Sequence, residues 1–192
     1  IIYPNTFLIS NSKKGSKKGK IKIGPKNILG PNLHLEGSVS IGSRNNISYS
    51  HITDTKIGNE NIIGPYARVR DGATIANNVK IGNFVEVKNS SIGNGTQVAH
   101  LSYIGDADLG RNVNVGAGTI TANYNSVTGK KNRTVIKNGA STGSNSVLVA
   151  PVIIGENAII AAGSVITKSV PAKALGIARG KQENKENWVK KK

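Results

Sequence analysis

Aliphatic residues recur at every sixth position through most of this chain, often with a small residue after them. The regular runs extend from Ile23 to Ile47, from Ile57 to Val87 and from Ile136 to Ile166. Between these runs the aliphatic positions continue at steps of five or six residues, at Ile52, Ile92, Val98, Ile104, Leu109 and Val115. A period of six fits neither the 3.6-residue period of an amphipathic helix nor the two-residue period of a half-buried strand. It is typical of an all-β protein built as a parallel β-helix of hexapeptides, in which stacked coils bury one aliphatic column.

The limits of this pattern divide the chain into three parts. Residues 21–170 are predicted to form the β-helix, and residues 1–20 an irregular lead-in segment. Residues 171–192 begin at Pro171 and are predicted to form a C-terminal tail, with a partly helical conformation as one option. The polar segment 123–133 lacks the periodic aliphatic residue, so we expect it to project from the coils as an external loop of the kind that often carries function.

The composition is compatible with this architecture. Hydrophobic residues make up 37% of the chain and aromatic residues 4%, which is enough for a thin aliphatic column. The 23 glycines suit coil corners, where a positive φ is often needed. Asparagine tolerates the same conformation, and we expect it at corners for this reason, at Asn45, Asn46, Asn77, Asn78, Asn83 and Asn94.

The charge and the missing residue types limit the classes of function. The net charge is +16, and six lysines fall within residues 13–22. These lysines are interpreted as solvated basic tails, as an attraction for anionic ligands or, less favoured, as a nucleic-acid surface, because no aromatic residues alternate with them for base stacking. The absence of cysteine excludes disulfides and a thiol nucleophile, and the absence of methionine indicates a piece of a longer or processed product. No apolar run is long enough to predict a membrane span.

Stacking of the coils predicts a site. With three hexapeptides to a coil, residues about 18 positions apart lie on top of each other, at about 4.8 Å between strands. Arg68, Glu86 and Tyr103 each precede a buried position, so they point outward on one face of three successive coils. Four further residues lie on this face or at the corner leading into it: Lys88, His100, Asn114 and Ala117. A histidine beside a carboxylate can act as a general base, and the cations suit a phosphorylated substrate.

The three histidines of the chain are candidate metal ligands. His34 and His51 each precede a buried position and are predicted to stack on adjacent coils. His100 is about three coils further along, too far to complete a zinc triad with them in one chain. We therefore expect no metal in this domain.

Four segments give the chain a family resemblance: PYARVRDGATI (65–75), GNFVEVKNSSIG (82–93), AHLSYIGDADLGRNVNVGAGTITANYN (99–125) and APVIIGENAIIAAGSVIT (150–167). They resemble the C-terminal half of the bacterial bifunctional proteins of UDP-N-acetylglucosamine synthesis, which is a glucosamine-1-phosphate N-acetyltransferase. The resemblance implies a left-handed β-helix, a cytoplasmic homotrimer, acetyl-CoA as co-substrate, and a product used for peptidoglycan and lipopolysaccharide precursors. The uridylyltransferase half of the family, with its Mg²⁺-binding acids, has no counterpart in this chain.

The resemblance also implies roles for individual residues. His100 matches the catalytic base, and Glu86 matches the carboxylate that orients it. The positions that match sugar-phosphate ligands are Arg68, Lys88, Tyr103, Asn114 and, in the loop, Lys131 in preference to Lys130. The positions that match acetyl-CoA ligands are Ala117, Asn123, Tyr124, Ser144, Ala162 and Arg179. A backbone N–H near Ala117 is the candidate for stabilising the tetrahedral oxyanion.

The sequence departs from the hexapeptide pattern at two positions and leaves two alternative functions open. Thr142 and Lys137 replace the usual aliphatic and small residues of a hexapeptide, which is expected to weaken that coil. One alternative is a hexapeptide acyltransferase that acts on a different amino sugar. The other is a non-catalytic β-helix that binds anions.

Overall fold

The computed structural model describes residues 1–10, 19–186 and 188–189. These residues contain strands, turns and bends but no helix, so no helix within them could cross a membrane. Each coil contributes one short strand to each of three parallel sheets, and the chain winds as a left-handed β-helix of about 9 turns. The predicted fold class is therefore confirmed.

The three sheets are named I, II and III in the order in which the chain visits them. Sheet I contains β1 Phe7–Ile9, β4 His34–Glu36, β7 His51–Thr53, β10 Arg68–Arg70, β13 Glu86–Lys88, β16 Tyr103–Gly105, β19 Ile120–Ala122, β22 Val147–Val149 and β25 Val165–Ile166. Sheet II contains β2 Lys22–Ile23, β5 Ser40–Ile41, β8 Lys56–Ile57, β11 Thr74–Ile75, β14 Ser91–Ile92, β17 Ala107–Leu109, β20 Thr134–Ile136 and β23 Val152–Ile154. Sheet III contains β3 Ile28–Leu29, β6 Asn46–Ile47, β9 Ile62–Ile63, β12 Lys80–Asn83, β15 Gln97–His100, β18 Asn114–Val115, β21 Ser141–Thr142, β24 Ile159–Ile160 and β26 Leu175–Gly176.

The aliphatic pattern forms the core of the β-helix. Every aliphatic residue of the pattern from Leu29 to Ile166 is buried, and these side chains form one continuous cluster. Thr142 takes one of the same positions and is also buried, with its hydroxyl accepting a bond from the Gly116 N–H at 3.1 Å and lying 3.0 Å from Thr119 Oγ1. Its polar group is thus paired inside the column, as burial of a hydroxyl requires.

A second buried position precedes each aliphatic residue of the pattern by two, at the coil corner. Small apolar residues such as Ala67 and Val79 occupy it in some coils, and asparagine, serine or threonine in others. Among the six asparagines expected at corners for a positive φ, Asn78 alone has one. Asn45 and Asn61 instead form a buried amide ladder with Asn27. The expectation was wrong for five of the six because these side chains are used for stacking, or lie in strands, rather than for an unusual backbone conformation.

The β-helix extends into both terminal segments. Strand β1, within the expected lead-in, pairs in parallel with β4, and β26, within the expected tail, pairs with β24. No helix is present in the part of the tail that the structure describes. Most of the lysine-rich run lies outside the described residues, which include only Lys20 and Lys22 of its six lysines.

The segment 123–133 leaves the coils as a small hairpin. Tyr124 bridges Lys131 in antiparallel fashion, and the Asn125 side chain accepts bonds from the N–H groups of Val127 and Thr128 at 3.0 and 3.1 Å. Val127 at its tip is 94% exposed. The predicted projecting loop is therefore observed, and Asn125 closes its turn.

Candidate active site

The corner where the chain passes from sheet III to sheet I, called here the III/I corner, carries His100. Asn83 and His100 are paired in register at the ends of β12 and β15. The imidazole Nδ1 of His100 lies 2.6 Å from Asn83 Oδ1. Because a side-chain amide oxygen only accepts, Nδ1 carries the proton and donates to Asn83, which leaves Nε2 with a free lone pair. His100 is exposed, so this lone pair faces outward.

The same corner carries four of the predicted acetyl-CoA residues in the coils that follow. Ala117 continues the register of Asn83 and His100, and backbone bonds connect the next levels, from Asn145 N to Ala117 O at 2.7 Å and from Gly163 N to Ser144 O at 2.8 Å. Arg179 Nη1 donates to Ala162 O at 3.1 Å. Four coil steps of about 4.8 Å separate His100 from Arg179, which gives a line of about 19 Å.

Small residues let the coils approach each other closely along the row of residues from His100 to Arg179. A Cβ placed at Gly116 would meet the backbone of residues 142–144, and one at Gly143 would meet the backbone of Ala162. Within the described residues the N–H of Ala117 donates no hydrogen bond, so it is available to a ligand beside His100. The III/I corner therefore offers an extended strip of backbone groups with a base at one end and a guanidinium at the other.

A cluster of cations lies at the opposite edge of sheet I. Arg70 and Lys88 are neighbours in register on β10 and β13. Contact with Lys131 of the hairpin lowers the pKa of Lys88, and burial and the charges of Lys131 and Arg70 act in the same direction, with Asp71 opposing them. Contact with Lys88, followed by the charge of Asp106, raises the pKa of Lys131. The two ammonium groups carry like charges and repel each other at this distance. An anion placed between them would relieve the repulsion.

The acidic partners hold this cluster together. Arg70 Nε donates to Glu86 at 2.6 Å and Arg70 Nη1 donates to Asp71 at 2.7 Å. Burial opposes the charged form of Arg70, but the hydrogen bond and charge of Glu86, with Asp71, outweigh it and raise the Arg70 pKa. Lys88 lies 3.8 Å from the Asp71 carboxylate.

Glu86 and Tyr103 stack as the sequence predicted. Glu86 is in register with Arg68 on one side and Tyr103 on the other. Within the described chain, however, the ionic contacts of Glu86 are with Arg68 and Arg70, and Asn83 is the residue bonded to His100. The expected pair of Glu86 with His100 is not formed in this structure, because Glu86 points toward Arg70 instead. A Cβ at Gly105 would overlap the Tyr103 ring, so the glycine makes room for the phenol.

Asn123 and Tyr124 lie at the edge of sheet I away from His100. The Asn123 side chain donates to the buried carboxylate of Asp106, which also accepts from Asn89 at 2.5 Å. Arg133 secures the other end of the hairpin with two bonds to Asp108, at 2.5 and 2.9 Å. Tyr124 is exposed. One chain therefore does not bring these two residues to the line that contains Ala117.

Asn114 stands apart from both edges. It points outward from sheet III, between Gln97 and Ser141 in the register of β15, β18 and β21. Arg68 is exposed on sheet I, 3.9 Å from the Glu86 carboxylate. Among the described residues, no hydrogen bond or ion pair joins either residue to His100.

His34 and His51 are adjacent on β4 and β7, as predicted. Their rings are T-shaped, with centroids 4.5 Å apart. Burial and then the neighbouring His34 lower the pKa of His51, while Glu36 acts in the opposite direction. This pair is three coils away from His100 and takes no part in the arrangement at the III/I corner.

Three residues of the site were missed by the sequence reasoning. Asn83 stands 17 residues before His100 and Arg70 stands 18 before Lys88, so the stacking rule could have placed both. Asp106 could have been found as a carboxylate 17 residues after Asn89 and 17 before Asn123. In each case the signal is a polar residue one coil length from another residue of the site.

Comparison with known proteins shows which families the chain resembles. The family model described as bacterial transferase hexapeptide (six repeats) matches residues 54–89 and 133–168. The bifunctional protein GlmU of Carboxydothermus hydrogenoformans is 52% identical over 191 residues, which are 99% of this chain and 40% of that protein. The chain is thus similar to the C-terminal part of bifunctional GlmU proteins.

Other relatives have the same relation to the chain. The GlmU protein of Thermotoga maritima is 48% identical over 192 residues, again 40% of its length. The chain thus spans about two fifths of the GlmU proteins that it matches. Among solved structures, a UDP-N-acetylglucosamine acyltransferase of Francisella novicida superposes with a TM-score of 0.78 at 20% identity, covering 93% of this chain and 67% of that one. This last likeness concerns the fold.

Proposed function

We propose that the chain transfers the acetyl group of acetyl-CoA to the amine of glucosamine 1-phosphate, giving N-acetylglucosamine 1-phosphate and CoA. The observation that carries the proposal is the position of His100. It stands at the start of the strip formed by Ala117, Ser144, Ala162 and Arg179, with its Nε2 free. The high identity to GlmU proteins supports the choice of substrates.

The acetyl-CoA chain fits the strip along the III/I corner. The extended thiol arm of acetyl-CoA needs backbone donors and acceptors that it can approach closely. The small residues Ala117, Gly143 and Ala162 leave the backbone of the strip accessible. Arg179 at the far end provides a fixed positive charge for a CoA phosphate. The thioester then lies near Ala117, whose free N–H can stabilise the oxyanion.

His100 moves the proton. Its Nε2 removes a proton from the sugar amine as the nitrogen attacks the thioester carbonyl, and the tetrahedral intermediate collapses by breaking the C–S bond. The proton passes from the imidazolium to the departing thiolate, so the products are the amide and CoA thiol. Asn83 fixes the tautomer required for this step, a role that we had assigned to Glu86. Glu86 holds Arg70 in place.

The sugar phosphate is assigned to the cations. Lys88 and Lys131 with Arg70 can surround a dianion, while Tyr103, Arg68 and Asn114 contribute contacts to the sugar. Charge-assisted hydrogen bonds of this kind are about twice as strong as neutral ones. The like charges of Lys88 and Lys131 lie in contact, and an anion bound between them would offset their repulsion.

The complete site is proposed to require a homotrimer. Asn123 and Tyr124 are separated from the acetyl-CoA strip of their own chain, so a neighbouring chain would bring them to it. The outer face of sheet I also exposes apolar side chains at Ile120, Val149 and Val165. Sedimentation should show a trimer at micromolar concentration, and an active monomer would contradict this. We place the activity in the cytoplasm, and we propose that the parent polypeptide also carries a uridylyltransferase part.

The substrate is tested by competition between acceptors. Release of CoA thiol is measured with glucosamine 1-phosphate, with glucosamine 6-phosphate and with other amino sugars. The proposal expects the highest kcat/KM for glucosamine 1-phosphate. A preference for another amino sugar would favour the broader acyltransferase alternative, and CoA binding without thiol release would favour the non-catalytic β-helix.

The role of Asn83 gives a prediction about pH. Asn83→Asp places a carboxylate beside His100 Nδ1, where it stabilises the imidazolium relative to the neutral ring. We expect the acid limb of the pH–rate profile to move to higher pH, because the base then stays protonated over a wider range. Rates measured from pH 5 to 9 would show the shift, while Glu86→Gln should leave the acid limb in place if Glu86 acts only on Arg70. An unchanged limb in Asn83→Asp would remove Asn83 from this role.

The two lysines of the hairpin give a matched pair of variants. Lys131 contacts Lys88, whereas Lys130 is exposed on the hairpin. Lys131→Ala is expected to raise KM for glucosamine 1-phosphate about 10- to 100-fold, the effect of losing one hydrogen bond to a charged group. Lys130→Ala should change KM less than about threefold. Equal effects in both variants would indicate a general electrostatic attraction instead of a specific contact.

A further inference from the structure

A second group of polar side chains lies on sheet I, outside the proposed acetyltransferase site. His34 and Glu36 are alternate residues of β4, so both point outward, and His51 is the register partner of His34 on β7. One coordinating atom from each of the three lies within 4.8 Å of the others. The sequence analysis excluded a triad of the three histidines, but Glu36 adds a carboxylate from the same strand as His34.

The distances between these atoms match those around a bound ion. Glu36 Oε2 lies 3.5 Å from His34 Nε2 and 3.6 Å from His51 Nε2. Two ligand atoms that are each about 2.1 Å from a tetrahedral zinc are about 3.4 Å apart. Charge-assisted hydrogen bonds are shorter, at about 2.7–2.9 Å. The observed separations are thus closer to the edges of a coordination sphere than to ion-pair hydrogen bonds.

Outside the group, His51 Nε2 lies 3.3 Å from the Thr53 hydroxyl, and the other two coordinating atoms have no hydrogen bond in the part of the chain that the structure describes. His34 Nε2 is buried and has no hydrogen-bond partner among the described residues. The Glu36 side chain is only 12% exposed, and its ionic contacts in the described chain are the two imidazoles. A nearly buried carboxylate and a buried unpaired nitrogen are costly unless a partner satisfies them. A cation at the centre of the three would satisfy both.

We propose that His34, Glu36 and His51 form a site for a divalent transition-metal ion of the zinc type. Two imidazoles and one carboxylate are a ligand set that zinc accepts, with a fourth position left for water. The Thr53 hydroxyl now lies 3.3 Å from His51 Nε2, and this nitrogen would exchange that contact for the metal. The ring of Phe7, 6.2 Å from that of His34, covers one side.

The site has a structural role. It fastens β7 to β4, which lie next to the end strand β1 of sheet I, close to the N-terminal end of the β-helix, where end stabilisation matters most. His51 is followed in the sheet by Arg68, Glu86 and Tyr103, so three coils separate it from the residues around His100. Acetyl transfer is therefore expected to continue when the metal is removed.

The test measures zinc on the untagged full chain. Metal-free protein is equilibrated with zinc, desalted and analysed for bound metal, and cobalt is used as a second probe because its visible absorption reports tetrahedral coordination. We expect one ion per chain, and at least about a 100-fold loss of zinc affinity in Glu36→Gln and in His51→Gln. Zinc should raise the thermal unfolding midpoint of the unaltered chain and not that of Glu36→Gln.

The third histidine of the chain supplies the control. His100→Ala removes an exposed imidazole outside the proposed site and should retain one zinc per chain. Circular dichroism confirms that each variant is folded, and Glu36→Gln is nearly isosteric with the native residue. The proposal is wrong if the unaltered chain binds no zinc after desalting, or if binding disappears with His100 and persists in Glu36→Gln and His51→Gln. Neither result depends on the acetyltransferase assay.

Discussion

Replacing His100 with alanine should lower the rate of acetylation by about 10² to 10⁴-fold, the contribution typical of a general base. The side chain is exposed, and its one hydrogen bond in the described chain is to Asn83. Its loss therefore removes the proton acceptor and no core contact. The measurement is CoA thiol release at saturating acetyl-CoA and glucosamine 1-phosphate.

The fold and the ligand affinities serve as controls for this variant. Circular dichroism and the thermal midpoint of His100→Ala should match those of the unaltered chain, and KM should change little. Replacement of His51, which is three coils away, should leave the rate high. A folded His100→Ala chain with nearly full turnover would remove His100 from the mechanism and favour the non-catalytic alternative.

Replacing Asn61 with alanine should lower the free energy of unfolding by about 2–6 kcal/mol, because two backbone groups lose their partners at about 1–3 kcal/mol each. Asn61 Oδ1 accepts from the Val79 N–H at 2.8 Å, and its Nδ2 donates to Ala76 O at 2.9 Å. The amide also bonds to Asn45 Oδ1 at 3.0 Å, so the ladder is broken at this level. Urea unfolding followed by circular dichroism would report the change.

Asn46→Ala is the matched control for the ladder. Asn46 is exposed at the start of β6, and its side chain has no hydrogen bond among the described contacts. Its replacement should alter stability by no more than about 0.5 kcal/mol. Both variants must be compared at the same chain concentration, since assembly contributes to apparent stability. Equal urea midpoints for the two would show that the buried amides contribute nothing.

The candidate site could be predicted in part from spacing. Arg68, Glu86 and Tyr103 are in register as expected, because strands of one sheet repeat at about one coil length. Spacing does not give the direction of a long side chain within its level. Arg70 lies two positions after Arg68, the register partner of Glu86. Arg70 donates a hydrogen bond to the Glu86 carboxylate, which was expected to pair with His100. Asn83, which ends β12, is left as the partner of the imidazole.

The group formed by His34, Glu36 and His51 on β4 and β7 also could not be predicted fully from spacing. The sequence showed that His34 and His51 are neighbours, but whether Glu36 turns toward them depends on side-chain packing against β1 and β7. Lys131 is similar, since only the hairpin between Tyr124 and Lys131 brings it against Lys88.

The sequence alone determined the β-helix, its core positions and the projecting loop, because a six-residue period imposes one inward side chain on each strand and repeats it coil after coil. The tertiary structure decided which polar groups pair. In the structure, corner asparagines form a buried ladder of hydrogen bonds, and His100 pairs with Asn83. The proposed acetyl-CoA strip lies at one edge of sheet I and the cations lie at the other. These choices depend on competition between neighbours a few ångströms apart in space, which periodicity along the chain does not encode.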